Sequence, residues 1–291
     1  AGEVAGLAPV GVNITHSDDA EAVLQQTRPD VAILATRSFL KDIADAVKTL
    51  GRNRVNVITI SEEAFYSWNT EPQLTAEIDS VFRDNGVSFT GTGYQDAYWL
   101  YLASVLVGVS LRTDRLLCHT QFNVDDYGVA LCEAHGVGLT PEEFAAKFTP
   151  ESAVPAYVWN SNEALAVRLG LKIVKTTQVY EPLVLTKDVQ SKSYGALTTG
   201  KVNGLKAVVR TLGEDRQGRQ VEIETHQIGQ VYYDDLEDYA RWQTTGTPSL
   251  EINCKKPDTV GITCASAVNR IPGVLAARPG YVTVAELGPL A

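Results

Sequence analysis

Short apolar runs alternate with amphipathic stretches through the first third of the chain, and this alternation limits the fold more than any other feature. Gly11 to Thr15 has strand character, and Ser17 is placed to cap a helix through Asp18 to Leu24. Val31-Ala32-Ile33-Leu34-Ala35 is a continuous apolar run, as in a strand covered on both faces. Phe39, Ile43, Val47 and Leu50 then share one helical face, and Gly51 is expected to end that helix. Val55 to Ile60 is the next buried strand. Glu71 to Asn85 reads as a helix closed by Gly86, and Val87 to Thr90 as a further strand. Strands and helices at this spacing make a parallel sheet wound by right-handed crossovers. Residues 1–112 are therefore expected to form a Rossmann-like α/β unit.

Gln95 to Ser110 is apolar enough for one long helix, and after Asp114 the pattern changes. Arg115 to Val124 alternates in part, as a half-buried strand does. Helical stretches follow near 126–134, 140–148 and 154–169, the second opening on Thr140-Pro141. Runs of period two over 172–186, 205–212, 220–228, 239–244 and 249–254 then predict a largely antiparallel sheet within a second unit, 113–256. The polar stretch 187–204 reads as a long mobile loop. A final helix over 258–277 belongs to a closing segment, 257–291, that returns to the first unit.

Composition narrows the function. A net charge of −10 argues against nucleic acid and anionic membrane as general partners. No apolar run approaches the roughly 20 residues that span a bilayer, and no secretory signal is visible. Cys118, Cys132, Cys254 and Cys264 lack metal-ligand spacing, as do His16, His119, His135 and His226. No metal is implied, and reduced thiols in a cytoplasm are the expectation.

The third strand ends in Ser61-Glu62-Glu63. Open α/β sheets bind ligands at the carboxyl ends of their strands, so this acid pair either faces a ligand or simply opens a helix. Periodicity does not separate the two. The dinucleotide fingerprint G-x-G-x-x-G is absent: Gly91-Thr92-Gly93 keeps only two glycines, and Gly136-Val137-Gly138 does not join a strand to a helix. The chain contains no Met, and the simplest account of both absences is that an opening βαβ unit lies ahead of Ala1.

NVITISEE (56–63), FTGTGYQD (89–96), HGVGLTPEEF (135–144), TCASAVNRIP (263–272) and RPGYVTVAEL (278–287) occur in this order across the chain. Together they resemble the 2,4-diaminopentanoate dehydrogenase and native amine dehydrogenase family, with a dihydrodipicolinate reductase-like fold. The resemblance implies NAD- or NADP-dependent, reversible oxidative deamination of a small amine, run in reverse from a ketone or aldehyde and ammonia. It implies that Glu62 is the catalytic carboxylate, stabilising a cationic iminium and deprotonating ammonium. By the same likeness Tyr94, Arg115, Phe122 and Tyr127, with Thr263 and Ser266, are expected at the substrate. Core packing is the commoner use of such aromatics. Thr36, Arg37 and Ser38, with Asn269, are expected at the cofactor, although Arg37 as phosphate contact and as plain surface cation are not separated. Tyr94, Trp99, Phe122 and Tyr127 favour a small aromatic-lined pocket, and the exposed sheet face favours a homodimer.

Two other functions compete. Reduction of a cyclic imine, as in dihydrodipicolinate reductase, ranks lower because that enzyme's His- and Lys-containing substrate loop is not found. A non-catalytic nucleotide- or metabolite-binding protein is the third possibility.

Overall fold

The computed structural model describes residues 19–149 and 154–290; the strand expected at Gly11–Thr15, His16 and the Ser17 cap lie outside them. Helix α1 (Ala20–Thr27) is capped by Asp19, whose carboxylate accepts from Ala22 N–H at 3.0 Å. Strand β1 (Val31–Leu34), helix α2 (Leu40–Arg52), β2 (Asn56–Thr59), helix α3 (Pro72–Asn85) and β3 (Ser88–Gly91) follow in the expected alternation. The strands pair in parallel, Val31 opposite Asn56 and Val57 opposite Phe89. Helices α2 and α3 bury Leu40, Ile43, Val47, Ile78 and Phe82 against Val57 and Phe89. Each such side chain contributes about 1.5–3 kcal/mol.

One expectation changes in this sheet. The run at 31–35 forms an edge strand, leaving Ile33 44% exposed, because only β2 flanks it among the described residues. Gly51 is the penultimate residue of α2, which ends one residue beyond it at Arg52. A Cβ there would stand 2.8 Å from the Phe82 ring, so the bare Cα is what lets α3 approach.

A π-helical segment, Asp96–Tyr101, leads into the short helix α4 (Leu102–Gly108), where one continuous helix was expected. Strand β4 (Arg112–Asn123), a 3₁₀ turn at Val124–Tyr127, and helices α5 (Val129–Ala134), α6 (Pro141–Lys147) and α7 (Tyr157–Arg168) come next. Thr140 and Glu143 form a reciprocal capping box at the start of α6. Then follow β5 (Lys172–Val184), β6 (Val189–Ser191), β7 (Gly195–Leu197), β8 (Val202–Glu214), β9 (Gln220–Gln230), β10 (Tyr239–Thr247) and β11 (Glu251–Lys255).

A six-stranded sheet runs β11-β10-β4-β9-β8-β5, antiparallel except for β4 beside β9. The stretch expected to be a mobile loop instead holds the β6–β7 hairpin. Three of its polar groups are held by Asp125, which accepts from Ser191 Oγ at 2.7 Å, Lys192 N–H at 2.8 Å and Ser193 N–H at 2.9 Å. Val189 and Leu197 join Val124, Cys132 and Val137 in a small core of their own.

Helix α7 lies on the inner face of this sheet and also packs against the turn that follows β2. Asn162 reaches Thr225 Oγ at 2.7 Å, and Asn160 donates to Tyr66 O at 2.7 Å. Covered on both sides, α7 buries polar residues that an amphipathic helix would expose. Asn160, Ser161 and Asn162 have partners, and Glu163 accepts from Thr176 Oγ at 3.0 Å through Oε1 while its Oε2 has none among the described residues.

The closing segment splits into α8 (Thr259–Asn269) and α9 (Ile271–Leu275) rather than one helix, because Pro272 cannot donate into a continuing ladder. The short β12 (Gly280–Tyr281) then pairs in parallel with β3. Arg270, at the joint, is buried and grips Asp96 with two bonds of 2.7 Å, while Thr92 Oγ donates to the same carboxylate at 2.7 Å. No helix among the described residues is long and apolar enough to cross a membrane.

Arg270→Ala leaves the Asp96 carboxylate buried and unpaired. Equilibrium denaturation is expected to show a loss of about 3–5 kcal/mol.

Candidate active site

A cavity of about 650 Å³ opens where the carboxyl ends of the parallel strands meet the inner face of the six-stranded sheet. Its floor is built by the turn after β2. Thr59 Oγ donates to Leu34 O at 3.0 Å, Ser61 N–H donates to Thr59 Oγ at 3.1 Å, and the Ser61 hydroxyl donates to Arg37 O. These bonds tie the turn to the β1 loop. From the other side Gly91 presses on it so closely that a Cβ would stand 2.2 Å from Ala64 O. The Gly91-Thr92-Gly93 run thus serves close backbone approach in this strand end.

The two adjacent acids divide the work. Glu63 is buried, and its Oε2 accepts the Leu40 N–H at 2.7 Å, capping α2 where Phe39 offers no side-chain cap. Glu62 turns into the cavity. Burial raises its pKa above the ordinary carboxylate range, opposed in part by its own N–H and by the Ser38 hydroxyl. A desolvated acid of this kind is a proton acceptor with strength to spare for a cation beside it.

Of the residues expected at the site, Thr36, Ser38, Glu62, Tyr94, Phe122, Tyr127 and Thr263 line the cavity together. Tyr94 stacks on Tyr98 with centroids 4.6 Å apart, meets Trp99 edge-on at 5.5 Å, and gives its N–H to Thr263 Oγ at 3.1 Å. Phe122 meets Tyr127 and His135 edge-on, and the Tyr127 hydroxyl bonds Thr259 to close that wall. Burial pushes His135 down to about 4, so it packs as a neutral ring.

Four expected residues lie elsewhere. Arg115 is on the opposite face of the six-stranded sheet, paired with Glu222 at 2.8 Å and Glu224 at 2.7 Å. Burial alone would raise Glu224, but hydrogen bonds from Arg210, His226 and Arg115 bring it down to about 2. Ser266 is buried two residues beyond Cys264, the last residue of α8 to line the cavity, and Asn269 is exposed at the far end of that helix. Arg37 is exposed beside the mouth without lining it.

Tyr157, Gln227 and Thr120 also line the cavity and had not been anticipated. Thr120 and Gln227 are register partners on β4 and β9. Their parity with Phe122 is the signal that could have found them. Tyr157 opens α7, and no periodicity marks it. Burial, then the nearby Glu62 charge, pushes its hydroxyl up to about 12, while the Ser38 hydroxyl works against burial at both groups. No group of three or more His, Cys, Asp or Glu side chains is placed to hold a metal ion among the described residues.

The model of the 2,4-diaminopentanoate dehydrogenase C-terminal domain matches residues 101–290. The chain belongs to the 2,4-diaminopentanoate dehydrogenase family. It is 32% identical over 278 residues to the 2,4-diaminopentanoate dehydrogenase of Acetoanaerobium sticklandii, covering 92% of this chain and 76% of that protein. It superimposes on the amine dehydrogenase of Mycobacterium smegmatis with a TM-score of 0.88 at 35% identity, covering 100% of this chain and 85% of that one.

In this family member the two acids should separate by stability. The raised Glu62 pKa means the folded protein keeps a proton that the unfolded chain has released. Its ionisation therefore costs stability above the ordinary carboxylate range, and the cost vanishes as the pH falls below that range. Glu62→Gln is expected to match or exceed the parent in denaturation at about pH 8, the gap closing near about pH 4. Glu63→Ala is expected to lose about 1–2 kcal/mol with the α2 cap.

Proposed function

We propose that this chain is an NAD- or NADP-dependent amine dehydrogenase that interconverts a small amine with its ketone or aldehyde and ammonia. The observation that carries the reading is a desolvated carboxylate, Glu62, at the end of β2 inside an aromatic-walled cavity. Addition of ammonia to a carbonyl passes through a cationic iminium. An ionised carboxylate beside the reacting carbon lowers that cation in energy, and it first takes the proton that makes ammonium nucleophilic. Tyr94, Trp99, Phe122 and Tyr127 present ring faces and edges to the rest of the substrate, which suits a short apolar amine.

The cavity is far larger than an amine of a few carbons fills, so a flat ring can share it. Ile60 offers an apolar surface, and Thr36, Ser38 and Gln95 offer hydroxyl and amide groups at the strand ends, the set a nicotinamide carboxamide requires. When bound, the nicotinamide supplies hydride exchange with the substrate carbon. The protein's share is to hold the carbon against Glu62 and to keep water scarce around it.

Glu62 must be ionised to accept the ammonium proton. Its raised pKa places the acidic limb of the pH profile above the ordinary carboxylate range. Ammonium-dependent oxidation of NADH or NADPH is expected with small ketones. Glu62→Gln should lose about 10²–10⁴-fold in kcat/KM together with that limb. Absence of ammonium-dependent turnover over a broad ketone panel overturns the reading.

The face of the six-stranded sheet turned away from α7 supports a homodimer. It carries Leu117, His119, Val208 and Val179, the last 54% exposed, and no helix among the described residues packs on it. Light scattering is expected to return the mass of two chains. Val179→Glu should shift it toward one, and a monomeric parent protein removes the idea.

A further inference from the structure

Amination of a ketone needs two proton movements that a single strand-end acid does not obviously supply at once. Ammonium must lose a proton, and the carbinolamine hydroxyl must gain one to leave as water. Glu62, Ser38 and Tyr157 stand together on one wall of the cavity, brought there by three separate elements. Glu62 opens the turn after β2, and Ser38 lies in the loop after β1. Tyr157 is the first residue of α7. A backbone bond from Glu63 N–H to Ser38 O at 3.1 Å holds the first two segments in register. Asn160, one turn along α7 from Tyr157, donates to Tyr66 O at 2.7 Å and anchors the helix start to the end of the same turn. The Ser38 hydroxyl stands close enough to the Glu62 carboxylate and to the Tyr157 hydroxyl to lower the pKa of each against the effect of burial.

We propose that Ser38 and Tyr157 form a proton relay that carries the proton taken up by Glu62 to the leaving hydroxyl of the carbinolamine, Tyr157 being the group that touches substrate. The proposal rests on the amine dehydrogenase reading above and assigns its dehydration step.

The chemistry balances. Ammonium gives one proton to the Glu62 carboxylate, and the ammonia nitrogen bonds to the carbonyl carbon as the carbonyl π pair moves to oxygen. A proton passes from nitrogen to that oxygen, giving the neutral carbinolamine. The Glu62 proton then moves to Ser38 Oγ, the Ser38 proton to Tyr157 Oη, and the Tyr157 proton to the carbinolamine oxygen. The C–O bond breaks, water departs, and the nitrogen lone pair closes the C=N bond. Ketone and ammonium have become iminium and water with no change of oxidation state. All three side chains are back in their starting forms, and Glu62 is ionised at the moment the cation exists beside it. Burial keeps Tyr157 protonated between turnovers, so it passes a proton on without storing a charge.

The step can be read without redox turnover. In water enriched in oxygen-18, with oxidised nicotinamide that cannot reduce the ketone, the enzyme should catalyse ammonium-dependent exchange of the ketone oxygen. Tyr157→Phe and Ser38→Ala should lower that exchange on the order of 10²-fold. In the amine-oxidising direction carbon–hydrogen cleavage precedes hydration of the iminium. Tyr157→Phe should therefore keep a fast burst of about one reduced nicotinamide per site, followed by slow turnover that no longer responds to deuterium at the amine carbon. The burst counts folded, competent sites, so a merely structural lesion would diminish it. Unchanged oxygen exchange in Tyr157→Phe, or a burst slowed in step with turnover, overturns the relay. A parent enzyme that neither oxidises amines nor exchanges the ketone oxygen with ammonium overturns the amine dehydrogenase reading, and the relay falls with it.

Discussion

The bond from Leu40 N–H to the Glu63 carboxylate fixes more of this molecule than its size suggests. It caps α2, which packs on the parallel sheet, and it holds the turn after β2 against the β1 loop. With Glu63 committed to the backbone, its neighbour is the acid free to enter the cavity. A single residue of offset thus separates a carboxylate spent on the backbone from one that faces the cavity. The burial that surrounds Glu63 also raises the pKa of Glu62, because both sit in the same poorly hydrated turn.

Helix α7 is the second organising element. It is polar where a surface helix would be polar, yet it is buried, since it lies between the six-stranded sheet and the turn that carries Glu62. Asn162 and Asn160 spend their amides on opposite neighbours. The helix therefore relates the two sheets rigidly, and its first residue, Tyr157, arrives at the cavity as a consequence. The buried Asp96–Arg270 pair acts in the same sense from the other side, joining the α8–α9 joint to the π-helical segment that carries Trp99 and follows Tyr94.

Much of the architecture was legible because periodicity reports burial. The parallel alternation, the antiparallel sheet and the acid at the end of β2 followed from patterns of two and 3.6 residues. What failed had local causes. The run at 31–35 looks buried on both faces, but among the described residues only β2 lies beside it, and periodicity does not report neighbours in space. Arg115 and Phe122 were placed on one wall, although seven positions apart in a strand sets them on opposite faces; the parity was in the sequence and points away from Arg115. Ser266 and Asn269 share a helix with Thr263, but only the first turns of α8 reach the cavity. Pro272 marked the break between α8 and α9, whereas the polar hairpin at 189–197 was hidden because its partner, Asp125, is distant in sequence. Tyr157 carried no signal, since its role comes from the helix it begins.

The tight seat of the Ala64 carbonyl on Gly91 has an evolutionary consequence. That contact leaves the acid-bearing turn no slack, so the Glu62 carboxylate has a fixed address in any relative that keeps it. Changes in cavity size must be absorbed on the far wall, where Trp99, Phe122 and Tyr127 can be trimmed or exchanged without moving the turn. Divergence within such a scaffold would then alter what the cavity admits while leaving the position of its acid untouched.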